Sequence, residues 1–189
     1  MSMLEIHQFL ERLGNLIRSQ ARQSSDAFDL QPVHLNSLHY LSICNRYSDT
    51  LLALAEYLNQ TKGTTSQTIK LLEERGLIAK KPDSADGRVM HLKLTASGRK
   101  IVLQSWPSHV LKAAEHAFPP RQQDALRDQL KQLLHTCQTI NGQKTFSVCR
   151  SCRHNEKRAE GYLCRLTQEP LTAEEVTQIC REHEFAETA

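Results

Sequence analysis

No stretch of this sequence is apolar for long enough to cross a bilayer as a helix, which needs about twenty consecutive apolar residues. The opening Met1-Ser2-Met3-Leu4-Glu5 has neither the basic start nor the apolar core of a secretory signal. The sequence also lacks a nucleophile–base pair, a phosphate-cradling glycine loop and paired carboxylates, so it is not expected to encode an enzyme. Neither sign of charge dominates: 24 Lys and Arg stand against 21 Asp and Glu, a net +3. Charge of that size fits any soluble surface and does not by itself imply a nucleic-acid partner. A cytoplasmic location without membrane contact is expected. In that compartment thiols stay reduced, so the six cysteines are better read as metal ligands or reactive thiols than as disulfides.

The 189 residues suffice for one ordinary domain and an appendage, and 39% hydrophobic with 24% charged residues fits a globular chain. Residues 142–189 carry seven Lys or Arg and eight Asp or Glu, so the positive excess lies in residues 1–141. Apolar spacing then divides those 141 residues into helices. Phe9, Leu13, Leu16 and Ile17 form one stripe on a helix from His7 to Ser24. A second helix runs through Leu35, Leu38, Leu41 and Ile43 to about Arg46, and a third, capped by Asp49 or Thr50, spans Leu51 to Leu58. A fourth starts near Thr64 as its N-cap and ends at Gly76.

Strands at 77–81 and 88–94 flank Pro82-Asp83-Ser84-Ala85-Asp86-Gly87, turn chemistry throughout, and so form a wing. A helix follows Thr95 and runs through Trp106 with a kink at Pro107, and Pro119-Pro120 ends that segment. The last helix, Arg121 to Ile140, places Leu126, Leu130, Leu133, Leu134, Cys137 and Ile140 on one face. The expected fold is mainly α with a small β-wing: a winged helix-turn-helix flanked by dimerisation helices, plus a small Cys-rich C-terminal segment. The outer stripes are too apolar to stand alone, and two chains burying them against each other would give a homodimer with two readers for two half-sites. Packing within one chain is the competing reading.

Residues 54–78 carry the functional signal. Thr64, Thr65, Ser66, Gln67 and Thr68 offer short polar side chains near a helix start, where base edges in a major groove can be met. Gln67 can pair with adenine, and Thr methyl groups can touch thymine. Lys70 and Arg75 can reach phosphates, as can Lys80, Lys81 and Lys93 of the wing, while Arg88 near the wing tip suits a narrow A·T-rich minor groove. Asp83 and Asp86 are expected to act locally, in turn hydrogen bonds or in holding Arg88 extended. A merely solvated polar helix face is the plainer alternative.

Leu54-Ala55…Leu58, Ser66…Leu72-Glu73…Arg75-Gly76-Leu77-Ile78, Asp83…Asp86-Gly87-Arg88 and Leu94-Thr95…Gly98 resemble the MarR family of bacterial transcription regulators over roughly residues 5–141. The resemblance implies a homodimeric winged-helix repressor of palindromic promoter DNA whose affinity falls when a small molecule, metal or oxidant is sensed. In that family the wing often carries another Arg where this chain has Ala85. Typical members end near residue 141, so the remaining segment needs its own explanation.

That segment places Cys149 and Cys152 as Cys-x-x-Cys, then Cys164 and Cys180, with His183 as an alternative fourth ligand and His154 a weaker candidate. Two thiolates in a tight turn and two later ligands can close a tetrahedron, for which zinc is the default; an iron–sulfur cluster takes the same four cysteines. Few large apolar residues lie here, and small segments of this kind often fold only with a metal. Redox-sensing thiols and inert cysteines are the other readings. Cys44 and Cys137 are expected to be small core side chains. From a different class, the chain could be a redox or iron–sulfur module that uses its winged helix for protein contact.

Overall fold

The computed structural model describes residues 2–84 and 86–185, so the comparison made at Ala85 lies outside the described residues. The chain begins with helix α1, Met3–Asp26, whose first turn is closed by the Ser2 amide donating to Glu5 Oε2 at 2.9 Å. Helix α2, Pro32–Ile43, starts with Pro in the first turn, where its missing N–H costs nothing. Helix α3, Leu51–Tyr57, is capped by Thr50, which accepts from the Ala53 amide, so Thr50 rather than Asp49 is the cap. Helix α4, Lys62–Glu74, starts two residues before the expected Thr64. Thr61 is its cap, accepting from the Thr64 amide at 3.2 Å. Gly76 follows α4 at φ +66°, the left-handed conformation that closes such a helix end.

Strands β1, Ile78–Pro82, and β2, Met90–Leu94, pair antiparallel from Ile78↔Leu94 to Pro82↔Met90 and make the wing. Helix α5, Ala96–Ser105, is capped by Thr95. The expected kinked helix is in fact two, because the chain leaves helical geometry at Trp106, and α6 runs separately over His109–Glu115. Helix α7, Pro120–Ile140, follows. Among the described residues no helix is long and apolar enough to cross a membrane.

The main core is formed by α2, α3, α4 and the wing strands. Leu38 and Tyr40 of α2, Ala53 and Leu54 of α3, Ile69 and Leu72 of α4 and Leu92 of β2 are all essentially inaccessible. Burying each Leu or Ile contributes about 1.5–3 kcal/mol, so α3 and α4 are held as one body. Gly98 shows how tightly α5 closes on the wing base. A Cβ there would lie 2.2 Å from the Leu77 carbonyl oxygen, so only Gly fits. Cys44 joins this core as expected. Cys137 does not: α7 buries none of its residues within one chain, and Cys137 is exposed on it.

The C-terminal segment is built from short strands. β3, Ser147–Val148, pairs antiparallel with β7, Ile179–Cys180; β4, Asn155–Arg158, β5, Gly161–Cys164, and β6, Glu169–Leu171, form a three-stranded antiparallel sheet. Its small core joins Cys149, Leu171 and Val176 to Tyr162, Cys164 and also Tyr47, which belongs to the α2–α3 connection. The segment therefore packs against the α2–α3 connection instead of trailing from α7.

Candidate nucleic-acid interface and cysteine cavity

Helix α4 presents one polar face outward and buries the other. Lys62, Gly63, Thr64, Ser66, Gln67 and Lys70 are exposed, whereas Thr65 (0% exposed) and Thr68 (5%) turn into the core. This corrects the expectation that Thr64 to Thr68 all face a groove. Thr65 and Thr68 precede the buried Ile69 and Leu72 by four residues each, which puts them on the same inward face of a helix with 3.6 residues per turn. Lys62 was missed because the helix start was placed too late, and the signal that could have found it is the Thr61 cap. The first turn directs its free amides and the positive end of the helix dipole outward, favourable beside phosphate.

Arg75 also departs from the expectation. Its guanidinium bonds to the Asp29 backbone oxygen and to Asp29 Oδ2 at 2.8 Å, tying the C-terminal end of α4 to the α1–α2 connection. That role is structural, so Arg75 is a poor phosphate ligand. Lys70 faces Glu74 one turn on at 3.8 Å, and Lys80 bonds to Glu73 at 2.7 Å. Such exposed pairs are weak and can exchange a carboxylate for a phosphate. Lys81 is exposed on β1.

At the wing tip Arg88 is 91% exposed and held by two parallel hydrogen bonds, Nε to Asp86 Oδ1 and Nη2 to Asp86 Oδ2, both 2.9 Å. Asp83 Oδ1 accepts the Asp86 amide at 2.8 Å, so the acidic residues shape the turn and extend the Arg, as expected. Beneath the tip lies a network that sequence reasoning did not find. His91 Nδ1 bonds to buried Asp49 Oδ1 at 2.5 Å, His91 Nε2 to Asp83 Oδ2 at 3.0 Å, and Lys93 to Asp49 Oδ2. The Asp49 hydrogen bond, helped by Asp83, holds the His91 imidazolium above its ordinary range against partial desolvation and the nearby Lys93 charge.

The structure brings Cys149, Cys152, Cys164 and Cys180 around one cavity of about 120 Å³, also lined by Asn45, Tyr47 and His154. Asn155 Nδ2 donates to Cys149 Sγ at 3.4 Å, and the Glu184 amide to Cys152 Sγ at 3.5 Å. Burial pushes the Cys149 thiol up; Asn155 opposes that, and proximity to Cys180, Cys152 and Cys164 adds to it. Burial also raises the Cys180 thiol, while Asn45, the Glu182 amide and Ser48 favour its thiolate. Among the described residues no three His, Cys, Asp or Glu side chains are placed so that they could hold a metal ion. His183 is outside the cavity: its ring nitrogens face Thr145 Oγ1 at 3.3 Å and Ser151 Oγ at 3.0 Å. Burial lowers its pKa to about 4, and its substitution for Cys180 as a ligand finds no geometric basis.

The cavity wall is shared with the α2–α3 connection. The Asn45 amide donates to the Ile179 carbonyl at 3.0 Å, and the Arg181 amide to Ser48 Oγ at 2.8 Å. The Arg181 guanidinium grips Glu56 of α3 through Nε at 2.6 Å and Nη2 at 2.8 Å. On the other side Phe185 stacks edge-on with His135 of α7 at 4.1 Å, under Lys131.

Among curated proteins the sequence finds no match. The MarR family model matches residues 28–89. S. aureus MepR in its DNA-binding conformation is 22% identical with a TM-score of 0.62, over 70% of this chain and 98% of that one. The S. aureus MepR–DNA complex gives 22% and 0.56 over 69% and 96%. CouR from Rhodococcus jostii RHA1 bound to p-coumaroyl-CoA gives 18% and 0.55 over 68% and 90%. The chain therefore has the winged helix-turn-helix fold of these proteins, with α4 and the β1–β2 wing at the positions that define it.

Proposed function

We propose that this chain is a MarR-type transcription regulator, acting in the cytoplasm as a homodimeric repressor on palindromic promoter DNA. The observation that carries this reading is the outward face of α4, Lys62, Thr64, Ser66, Gln67 and Lys70, beside a wing that extends Arg88 from a fixed base. In the proposed complex Ser66, Gln67 and Thr64 meet base edges in the major groove. Arg88 enters the adjacent minor groove, and Lys62, Lys70, Lys80 and Lys81 neutralise phosphates. The family match to residues 28–89 and the shared fold of a protein solved with DNA support the same reading. No catalytic role is proposed.

Dimerisation rests on exposed apolar faces. Phe9, Leu13, Leu16 and Ile17 of α1 and Leu126, Leu130 and Leu134 of α7 are left open in one chain. Effector control rests on the cysteine cavity, which we read as a site for zinc or an iron–sulfur cluster sensitive to metal or redox state. A small-molecule effector, as CouR has in its own structure, is the other form of control. Selection from a random duplex pool tests the DNA reading. An inverted repeat should be enriched with half-sites about one helical turn apart, and Gln67→Ala should shift the enriched sequence. A pool that shows no enrichment would defeat the reading.

A further inference from the structure

His91 lies on β2 opposite Lys81 of β1, and its side chain, 17% exposed, sits between two carboxylates from different parts of the chain. Its Nδ1 meets Oδ1 of Asp49 in the α2–α3 connection, and its Nε2 meets Oδ2 of Asp83 in the wing turn. The Leu92 amide donates to the Asp49 carbonyl at 2.7 Å, which fixes β2, and His91 with it, against that connection. From Asp83 the hydrogen bonds run on to the wing tip. Asp83 Oδ1 accepts the Asp86 amide, and Asp86 accepts from the Arg88 amide at 3.0 Å and from its guanidinium twice at 2.9 Å. The bonds are unbroken from buried Asp49 to exposed Arg88.

An ionised carboxylate only accepts hydrogen bonds, and a neutral imidazole has a single N–H. A neutral His91 can therefore satisfy Asp49 or Asp83, but it sets a lone pair against the other. The imidazolium donates to both at once. Other charged or titratable groups share this cleft. Lys93 opposes the proton while bonding to Asp49 Oδ2, and Lys81 adds a second cation. Arg46 is engaged by Glu169 at 3.1 Å and Glu175 at 2.9 Å, and the Tyr47 hydroxyl bonds to Glu169. Led by the Asp49 hydrogen bond, the two carboxylates outweigh desolvation and Lys93, which keeps the imidazolium above its ordinary range.

We propose that His91 is a proton-dependent positioning residue for DNA binding, acting on Arg88 through Asp83 and Asp86. With both ring nitrogens protonated it anchors Asp83, and the wing tip holds Arg88 extended toward the minor groove. With one proton it keeps the bond to buried Asp49 and releases Asp83, and the tip loses its brace from below. The inference rests on the DNA-binding reading above. A duplex gripped through Arg88 favours the protonated ring in return, because coupling between two binding events is reciprocal. Binding therefore takes up protons, and affinity is highest below the folded pKa of His91 and falls as pH rises through it.

The test is an anisotropy titration of the full chain on a selected inverted repeat at constant ionic strength, from about one pH unit below neutrality to about one and a half above it. Nitrogen NMR of the Arg88 Nε in the free chain covers the same range. Affinity should fall about threefold to tenfold, within the loss that Arg88→Ala itself causes. The fall should vanish in His91→Asn and in Arg88→Ala, and the Arg88 resonance should follow the His91 ring in the wild type but not in His91→Asn. If His91→Asn fails to fold, Asp83→Asn serves, because an amide can donate to a neutral ring and its profile should be flat. A slope that survives these substitutions, or a wild-type affinity that ignores pH, overturns the proposal. An Arg88 resonance that ignores His91 overturns it whatever the DNA result. If no duplex binds at any pH while that resonance still follows His91, the DNA-binding reading falls and the proposal with it, leaving only the link between His91 and Arg88.

Discussion

Replacing Leu130 and Leu134 of α7 by Glu should separate the dimer and weaken DNA binding in the same concentration range. Phe9, Leu13, Leu16, Ile17, Leu126, Leu130 and Leu134 are each between about a third and two thirds exposed in the single chain. Completing the burial of such a side chain is worth about 1 kcal/mol, half its full transfer value. Seven in each of two chains give about 14 kcal/mol, against an association cost of about 4–15 kcal/mol. The interface is therefore adequate without excess. The double substitution removes four of the fourteen contributions, about 4 kcal/mol, or roughly a thousandfold in dissociation constant. Four carboxylates facing one another add to that loss. Sedimentation equilibrium of the wild-type chain should give twice the chain mass at micromolar concentration, and the variant one chain mass. Circular dichroism should show unchanged helix content, since α7 buries no residue within its own chain. A variant that stays dimeric, or a monomer that binds a palindrome with wild-type affinity, would refute the reasoning.

Thr65→Val should leave DNA affinity unchanged and hold or raise the melting temperature, because Thr65 Oγ1 is buried without a partner, while Ser66→Val should weaken binding from the exposed side of the same turn. Arg88→Ala should lower affinity about tenfold or more on a selected duplex, and Asp86→Ala by a smaller factor, since it removes only the brace that extends Arg88. The His91 network should make the wing pH-dependent. Its raised folded pKa stabilises the wing fully below about pH 6.5 and loses that contribution as pH rises through the folded value. Melting temperatures should therefore fall as pH rises above about 6.5, with a flatter profile in His91→Asn; equal slopes would remove His91 from this role.

The helices and the wing were legible because apolar periodicity and turn residues report local geometry. Thr95 and Gly76 do so directly, one as a cap and the other as a left-handed residue that ends α4. The direction of Thr65 and Thr68 was equally present in the sequence, through their spacing from Ile69 and Leu72, but composition drew attention before phase. Arg75 could not be resolved that way, because its partner Asp29 lies 46 residues upstream. The docking of the C-terminal segment was invisible for the same reason. Arg181 and Glu56 stand 125 residues apart, and Asn45, Ser48 and Tyr47 carry no periodic mark of the surface that meets them. The four cysteines were legible from spacing; the cavity between them was not, since its size depends on how β5 and β7 are set against the α2–α3 connection.

The central claim is that residues of α4 and the wing bind duplex DNA, and its most direct test is an anisotropy titration of the full chain against a selected inverted repeat over a range of salt. Lys62, Lys70, Lys80, Lys81 and Arg88 offer five cationic contacts per protomer, ten in a dimer. At about 0.9 counterions released per contact, the logarithm of affinity should fall with the logarithm of salt at a slope of about −9. Affinity should therefore drop roughly a hundred-thousandfold between 50 and 200 mM salt, with a shallower slope in Arg88→Ala. Binding that is absent at low salt, or insensitive both to salt and to that substitution, would contradict the claim.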